Sequence, residues 1–318
     1  MRRILAVAAV FAMAMTGLGT AFVAPTSASV AGANGAIVFA GDLGLGFQLY
    51  SVDQHGKGFR QLTDVRGDAT AADWSPDGSQ IVFEHDFYAR GIDHGQIMLM
   101  NADGSDIRHV TKAGLKHQPS FTPDGGHLVY ECECSPQGIF IMRTDGSDRR
   151  RLSTNPFPDE GDGDPNVSPD GTTVTFVRHK VDGELQALYA VDIDGRHVRR
   201  LVPYGREVAI KHDWAPDGSR IVITTNADYP GGRSPNVATV RPDGSDLQML
   251  THFKGGSQGG FVGSYSPNGR WIVFRVENLD REQFGLYKMR PDGSDKTLIS
   301  ALPFAPRSSD WGPRPAVS

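Results

Sequence analysis

The sequence predicts an all-β fold, a six-bladed β-propeller of four-stranded antiparallel blades. Two short signatures predict it, each recurring six times at a common spacing, and so do the strand-like runs that lie between them. The first signature is an aromatic or apolar residue followed by Ser-Pro-Asp-Gly or a close variant. It occurs at Trp74-Ser75-Pro76-Asp77-Gly78, Phe121-Thr122-Pro123-Asp124-Gly125, Val167-Ser168-Pro169-Asp170-Gly171, Trp214-Ala215-Pro216-Asp217-Gly218 and Tyr265-Ser266-Pro267-Asn268-Gly269. A truncated sixth copy stands at Asp310-Trp311-Gly312-Pro313. The steps between these aromatic or apolar positions are 47, 46, 47, 51 and 46 residues.

The second signature is Asp-Gly-Ser-Asp or a variant, with its glycines at Gly56, Gly104, Gly146, Gly195, Gly244 and Gly293. Two independent markers with the same count and period argue against coincidence. Both are turn chemistry. Proline sets φ at the first central position of a type I turn, and Asp-Gly supplies the polar and positive-φ positions of a hairpin.

The runs between the markers supply the strands. A β-branched or aromatic run follows each Ser-Pro-Asp-Gly, as at Ile81-Val82-Phe83, Leu128-Val129-Tyr130 and Ile272-Val273-Phe274. A second run precedes each Asp-Gly, as at Ile97-Met98-Leu99-Met100 and Leu188-Tyr189-Ala190-Val191. A third run, such as Ile107-Arg108-His109-Val110-Thr111, follows it, and the stretch ending at the aromatic residue is the fourth. Inner strands are expected near residues 72–75, 118–121, 164–167, 211–214, 262–265 and 308–311. No segment shows sustained helical periodicity. The strand order also predicts ring closure. The first repeat begins one strand late, near residue 36, and the chain ends on a lone inner strand that should complete the first blade and leave no open edge.

A leader is expected over residues 1–31. Arg2 and Arg3 form a basic start, an apolar run follows to Ala24, and small residues at Ser27, Ala28, Ser29 and Ala31 place cleavage near 29 or 31. A retained membrane anchor is the alternative reading of this run. The propeller then spans residues 35–313, with a tail at 314–318. Beyond the leader no apolar run reaches spanning length, so no stable membrane insertion is expected after cleavage. Removing the two leader arginines takes the formal charge from −5 to −7, which argues against a nucleic-acid partner. The expected location is periplasmic, cell-envelope or extracellular, and the expected state is a monomer.

These motifs resemble the WD40-like (PD40) repeat of TolB-type propellers, whose hallmark is x-W-S-P-D-G followed by a short apolar strand. The resemblance covers residues 35–313. It implies the propeller fold strongly and a function weakly, because this blade serves many unrelated proteins. TolB carries an α/β domain before its propeller, and propeller peptidases with similar blades carry an α/β-hydrolase domain. Neither is expected here, so a role in the Tol–Pal system is not carried over.

Several motifs invite a chemical reading. Gly255-Gly256-Ser257-Gln258-Gly259 matches the nucleophile pattern G-x-S-x-G, but that pattern needs a strand-to-helix turn and here lies in a glycine-rich loop between strands. Cys132 and Cys134 are the two cysteines. They form a candidate disulfide if Ser135-Pro136-Gln137-Gly138 provides a local turn, with free thiols or a metal site as the alternatives. The acidic segment 159–164 offers Asp159, Asp162 and Asp164 as candidate calcium ligands, against the reading of a solvated acidic loop. Calcium is the one cofactor this raises. His85 and His94 fall in an expected long loop, residues 84–96, and surface histidines are the default reading. The Asn166-Val167-Ser168 glycosylation triplet lies on an expected inner strand and is discounted.

Both turn signatures lie on one face of the ring by strand alternation, and the longer, irregular connections open on the other. Function is expected on this second face. Its segments leading to the central channel carry Asp68, His117, Asp162, Asp164, Arg206, Glu207, Lys211, His212 and Arg307. Of these, Asp68, His117, Asp164, Arg206, Lys211, His212 and Arg307 are the candidate binding residues of a mixed-charge channel mouth, with Lys211, Arg206 and Arg307 expected to be exposed. No catalytic residue is assigned. The expected function is an exported, non-catalytic binding or scaffold protein for an envelope or extracellular protein or a polar ligand. An accessory subunit for a separate catalytic chain is a variant of this reading. The alternative is a saccharide-acting enzyme, such as a metal-assisted polysaccharide lyase, with its site at the channel mouth.

Overall fold

In the computed structural model the described residues are 32–315, except 90, 113, 155–159, 181–184, 207, 209–210, 227–233 and 255–256. The expected leader, and Asp159 and Glu207, lie outside them. Six four-stranded antiparallel sheets form the ring. Blade 1 contains β1 (Asn34–Asp42), β2 (Phe47–Val52) and β3 (Arg60–Gln61). Blade 2 contains β4 (Asp68–Trp74), β5 (Gln80–Ala89), β6 (Ile92–Asn101) and β7 (Arg108–His109). Blade 3 contains β8 (Lys116–Phe121), β9 (His127–Cys132), β10 (Gly138–Arg143) and β11 (Arg150–Arg151). Blade 4 contains β12 (Glu160–Val167), β13 (Thr173–Lys180), β14 (Gln186–Asp192) and β15 (Arg199–Val202). Blade 5 contains β16 (His212–Trp214), β17 (Ile221–Thr225), β18 (Asn236–Val240) and β19 (Gln248–Met249). Blade 6 contains β20 (Gln258–Tyr265), β21 (Ile272–Asn278), β22 (Gln283–Met289) and β23 (Thr297–Leu302). The last strand, β24 (Arg307–Pro313), pairs with β1 and completes blade 1, with Ile37 opposite Trp311. The ring closes as the strand order predicts.

The turns behave as their residues dictate. Gly78 donates its N–H to the Ser75 carbonyl at 2.9 Å, and the Asp77 carboxylate accepts from both the Ser79 N–H and the Ser75 hydroxyl. In the second signature Gly104 has φ +85°, and a Cβ there would lie 2.7 Å from the Leu62 carbonyl oxygen of the preceding blade. Glycine is therefore required twice, for the turn itself and for the approach of one blade to the next.

The core consists of six clusters, each shared by two neighbouring blades. Val38, Ala40 and Leu49 of blade 1 pack on Trp74, Ile81 and Phe83 of blade 2. The sixth cluster joins Val273 and Leu286 of blade 6 to Phe39, Tyr50 and Trp311 of blade 1. A single blade cannot bury both faces of its sheet, so the ring is the stable unit.

Three expectations at strand ends are corrected. Strands β5 and β6 pair along residues 84–89 and 92–97, with Glu84 opposite Ile97 and His85 opposite Gln96, so His85 and His94 lie on strands and not in a loop. The acidic segment is not a solvated loop, because residues 160–167 are strand β12 paired with β13. Residues 258–261 likewise extend inner strand β20. The strand ladder continues through these polar and glycine-rich residues because their backbone groups must be satisfied wherever a neighbour strand is in reach.

Candidate functional site at the channel and its mouth

The inner strands β4, β8, β12, β16, β20 and β24 present one repeated position, the residue before the aromatic or apolar marker. It is occupied by Asp73, Ser120, Asn166, Asp213, Ser264 and Asp310. Four of these accept the backbone N–H of the marker residue in the following blade. Asp73 Oδ2 accepts from Phe121 at 2.8 Å, Asp213 Oδ2 from Tyr265 at 2.7 Å, Ser264 Oγ from Trp311 at 2.7 Å and Asp310 Oδ2 from Trp74 at 3.0 Å. The channel wall is thus stitched blade to blade by short polar side chains.

Three of them are carboxylates, and Lys211 lies among them. Its Nζ is 3.6 Å from Asp310 Oδ1, and its side chain is only 13% exposed. Burial pushes Asp73 up to about 8, and repulsion from Asp310 adds to it. Burial raises Asp213 to about 7, against the pull of Lys211. Burial works against the charge on Lys211, but Asp310, Asp73, Asp213 and Asp164 outweigh it and hold the ammonium above the usual lysine range. Lys211 is therefore an internal counter-ion of the channel and not the exposed mouth charge expected from its loop position. Its ordinary surface reading fails because the short strand β16 draws it inward, with φ +77°.

The other expected mouth residues fall into separate groups. Asp164 Oδ2 accepts the Lys211 N–H at 2.5 Å and contacts His212 Nδ1 at 3.1 Å. His212 is 1% exposed, and its Nε2 lies 2.8 Å from Thr175 Oγ1, which also accepts from Trp214 Nε1 at 2.9 Å. That arrangement is a buried joint between blades 4 and 5, so His212 does not face the mouth. Asp68 Oδ1 accepts the Phe47 N–H at 2.8 Å, and the Arg307 guanidinium lies 4.6 Å from the centre of the Phe47 ring. Arg307 and Arg206 are exposed, as expected.

Of the candidate calcium ligands, Asp159 lies outside the described residues, and Asp162 and Asp164 are each committed to other partners. Asp162 is fully buried and grips Arg178, with Nε–Oδ1 at 2.6 Å and Nη2–Oδ2 at 2.8 Å. Asp164 is committed to Lys211 and His212. A bidentate guanidinium already neutralises Asp162, which removes the charge a calcium ion would need. Cys132 and Cys134 are joined in a disulfide with Cα atoms 5.1 Å apart, and Arg149 lies against both sulfurs. Ser257 of the nucleophile-like motif precedes strand β20 and no helix, so its context is not that of a hydrolase.

His117 lands in a cluster the sequence does not announce. Its Nδ1 is 3.2 Å from Glu84 Oε1 and 3.6 Å from Asp86 Oδ1. Glu84 and Asp86 come from β5 of blade 2, and His117 from β8 of blade 3. Burial opposes the charge on His117, but the hydrogen bond to Glu84 and the nearby carboxylates raise it to about 9. Burial raises Asp86 and Glu131 to about 8 each.

The loop-rich face also exposes large apolar side chains. Leu43 and Leu45 stand in the β1–β2 connection, Tyr88 near the tip of the β5–β6 hairpin, Leu115 before β8 and Leu279 in the β21–β22 connection. Their exposures are 59%, 93%, 70%, 37% and 58%. They come from blades 6, 1 and 2 and the connection from blade 2 to blade 3, which are consecutive around the ring.

The family model of the TolB beta propeller domain matches residues 23–202 and 111–315. An uncharacterized protein of Agrobacterium fabrum is 27% identical over 214 residues, covering 64% of this chain and 63% of the relative. Among solved structures, TolB from Acinetobacter baumannii superposes with a TM-score of 0.69 at 19% identity, covering 88% of this chain and 67% of that one. A TolB-like protein of Agrobacterium tumefaciens gives 0.64 at 18% identity, covering 87% and 92%. The chain spans less than two thirds of the length of the curated relatives it matches. The structural likeness at these identities establishes the fold alone.

Proposed function

Because the chain belongs to the TolB β-propeller family, we propose that it is an exported, non-catalytic binding protein that captures a partner protein on the loop-rich face of its ring. The observation that carries this reading is the set of exposed apolar side chains on that face, Leu43, Leu45, Tyr88, Leu115 and Leu279. Water-exposed apolar side chains cost solvation free energy in a monomer; Phe59, Ile107, Val198 and Leu298 are exposed towards the turn face as well, but the two most exposed, Leu45 at 93% and Tyr88 at 70%, stand on the loop-rich face and suit a protein partner there. The exposed cations Arg206 and Arg307 border the same face and supply polar rim contacts. The channel carboxylates and Lys211 are internal to the ring, and their role is to join blades. Export is inferred from the basic and apolar residues 1–31 with their small-residue end.

Affinity capture tests this reading. The wild-type protein and an Ile107→Asp variant on the opposite face should retain one and the same partner. A Leu45→Asp, Tyr88→Ser variant should lose it.

The convergence of Glu84, Asp86 and His117 favours a second reading, metal-assisted chemistry on a polar saccharide at this face. Turnover of an acidic oligosaccharide that stops on His117→Ala would select it over the first.

A further inference from the structure

We propose that Glu84, Asp86 and His117 form a binding site for one divalent transition cation of the zinc or manganese type, lying between blades 2 and 3. Three observations converge on it. The first is donor geometry. Glu84 and Asp86 are two apart on β5 and so project to the same side, and β8 brings His117 across the blade boundary. The three donor atoms all lie within 4.8 Å of one another. The separations of 3.2 and 3.6 Å from His117 Nδ1 match the edge of a coordination polyhedron. Metal bonds of about 2.0–2.2 Å place neighbouring ligands roughly 3.0–3.5 Å apart. One imidazole and two carboxylates suit zinc or manganese, and the absence of sulfur from the set argues against copper(I).

The second observation is unmet hydrogen bonding. Asp86 Oδ1, which lies 3.6 Å from His117 Nδ1, is buried with no hydrogen-bond partner among the described residues. Glu131 stands opposite His117 in the β8–β9 ladder, is 7% exposed and acts electrostatically on both His117 and Glu84. Three carboxyl groups around one imidazole would carry net negative charge if all were ionised, and a divalent cation would neutralise it. Glu84 is held in place by the Gln118 N–H, which donates to Oε2 at 2.8 Å and leaves Oε1 for the ion.

The third observation is Gly95 of β6, which forms a wall of the pocket. A Cβ at this position would lie 2.5 Å from His117 Cε1, 2.9 Å from Nδ1 and 3.0 Å from Asp86 Oδ1. Its φ is not in the positive region that demands glycine, so the backbone alone does not explain the residue. Its missing side chain lets the His117 ring and the Asp86 carboxyl group pack directly against the β6 backbone, where a Cβ would push the donor atoms apart.

The test uses the full mature chain, stripped with chelator and titrated calorimetrically with zinc chloride and with manganese chloride. One of the two ions should bind with a stoichiometry of about one and raise the melting temperature. Asp86→Asn, His117→Gln and Gly95→Ala should each weaken binding at least about tenfold, by analogy with the loss seen when metal-site partners are removed. His197→Gln, on an exposed turn, should leave binding unchanged. Should His117→Gln fail to fold, Asp86→Asn carries the test, because the Asp86 side chain is 37% exposed and tolerates the change. Failure of both ions to bind stoichiometrically, or full binding by Asp86→Asn, would overturn the site. Neither readout depends on a partner protein.

Discussion

Asp310 Oδ2 accepts the backbone N–H of Trp74 at 3.0 Å, joining the last inner strand to the second blade across 236 positions of sequence. The same bond recurs from Asp73 to Phe121 and from Asp213 to Tyr265. Ring closure thus has a polar component in the channel as well as the apolar contacts of Trp311.

This relationship predicts a graded loss of stability at position 310. Asp310→Ala leaves the buried Trp74 amide without an acceptor and should cost about 1–3 kcal/mol in urea unfolding. Asp310→Asn keeps an acceptor oxygen and should cost less. Deleting residues 301–318 removes β24 altogether, opens an edge on blade 1 and should lower the melting temperature far more. Equal stability of the alanine and asparagine variants would show that the bond to Trp74 contributes nothing.

The Asp162–Arg178 pair predicts a different pattern. Arg178→Met strands a fully buried carboxylate and should cost about 3–5 kcal/mol. Replacing both members, with Asp162→Leu added, should recover most of that loss, because the penalty comes from the orphaned charge. A double variant as unstable as the single would contradict this.

The channel carboxyls predict the pH dependence. Asp73 and Asp213, raised to about 8 and about 7, keep their protons in the folded chain where the unfolded chain has released them. Their groups of contact are Lys211 and Asp310, with each other. The folded state binds more protons from about pH 4 upward, so their contribution is fully present below the unfolded value of about 3.9. It falls progressively as pH rises above that value and is fully lost once pH passes 7 to 8. Thermal melts of Asp73→Asn, which cannot ionise, should therefore gain on wild type between pH 5 and pH 9, roughly the window of these shifts. A constant difference across that range would contradict the assignment.

The fold was legible because each blade is punctuated twice by residues with one conformational meaning, Pro-Asp-Gly and Asp-Gly. Strand ends were less so. Glu160-Gly161-Asp162-Gly163-Asp164 has the composition of a loop, and it is a strand because β13 pairs with it and Arg178 neutralises Asp162. The channel position could have been found by aligning the repeats, since every copy has Asp, Asn or Ser before its marker residue. The partners of His117 could not. Glu84 lies 33 positions earlier in another blade, and their meeting depends on the stagger between neighbouring sheets.

The central claim is that the loop-rich face holds a protein partner, and site-specific photo-cross-linking in exporting cells tests it most directly. A cross-linking side chain placed at Leu45 or Tyr88 should yield one discrete adduct, and the same group at Ile107 or Val198 on the turn face should yield none. Adducts from Ile107 and Val198 with none from Leu45 and Tyr88 would contradict the account.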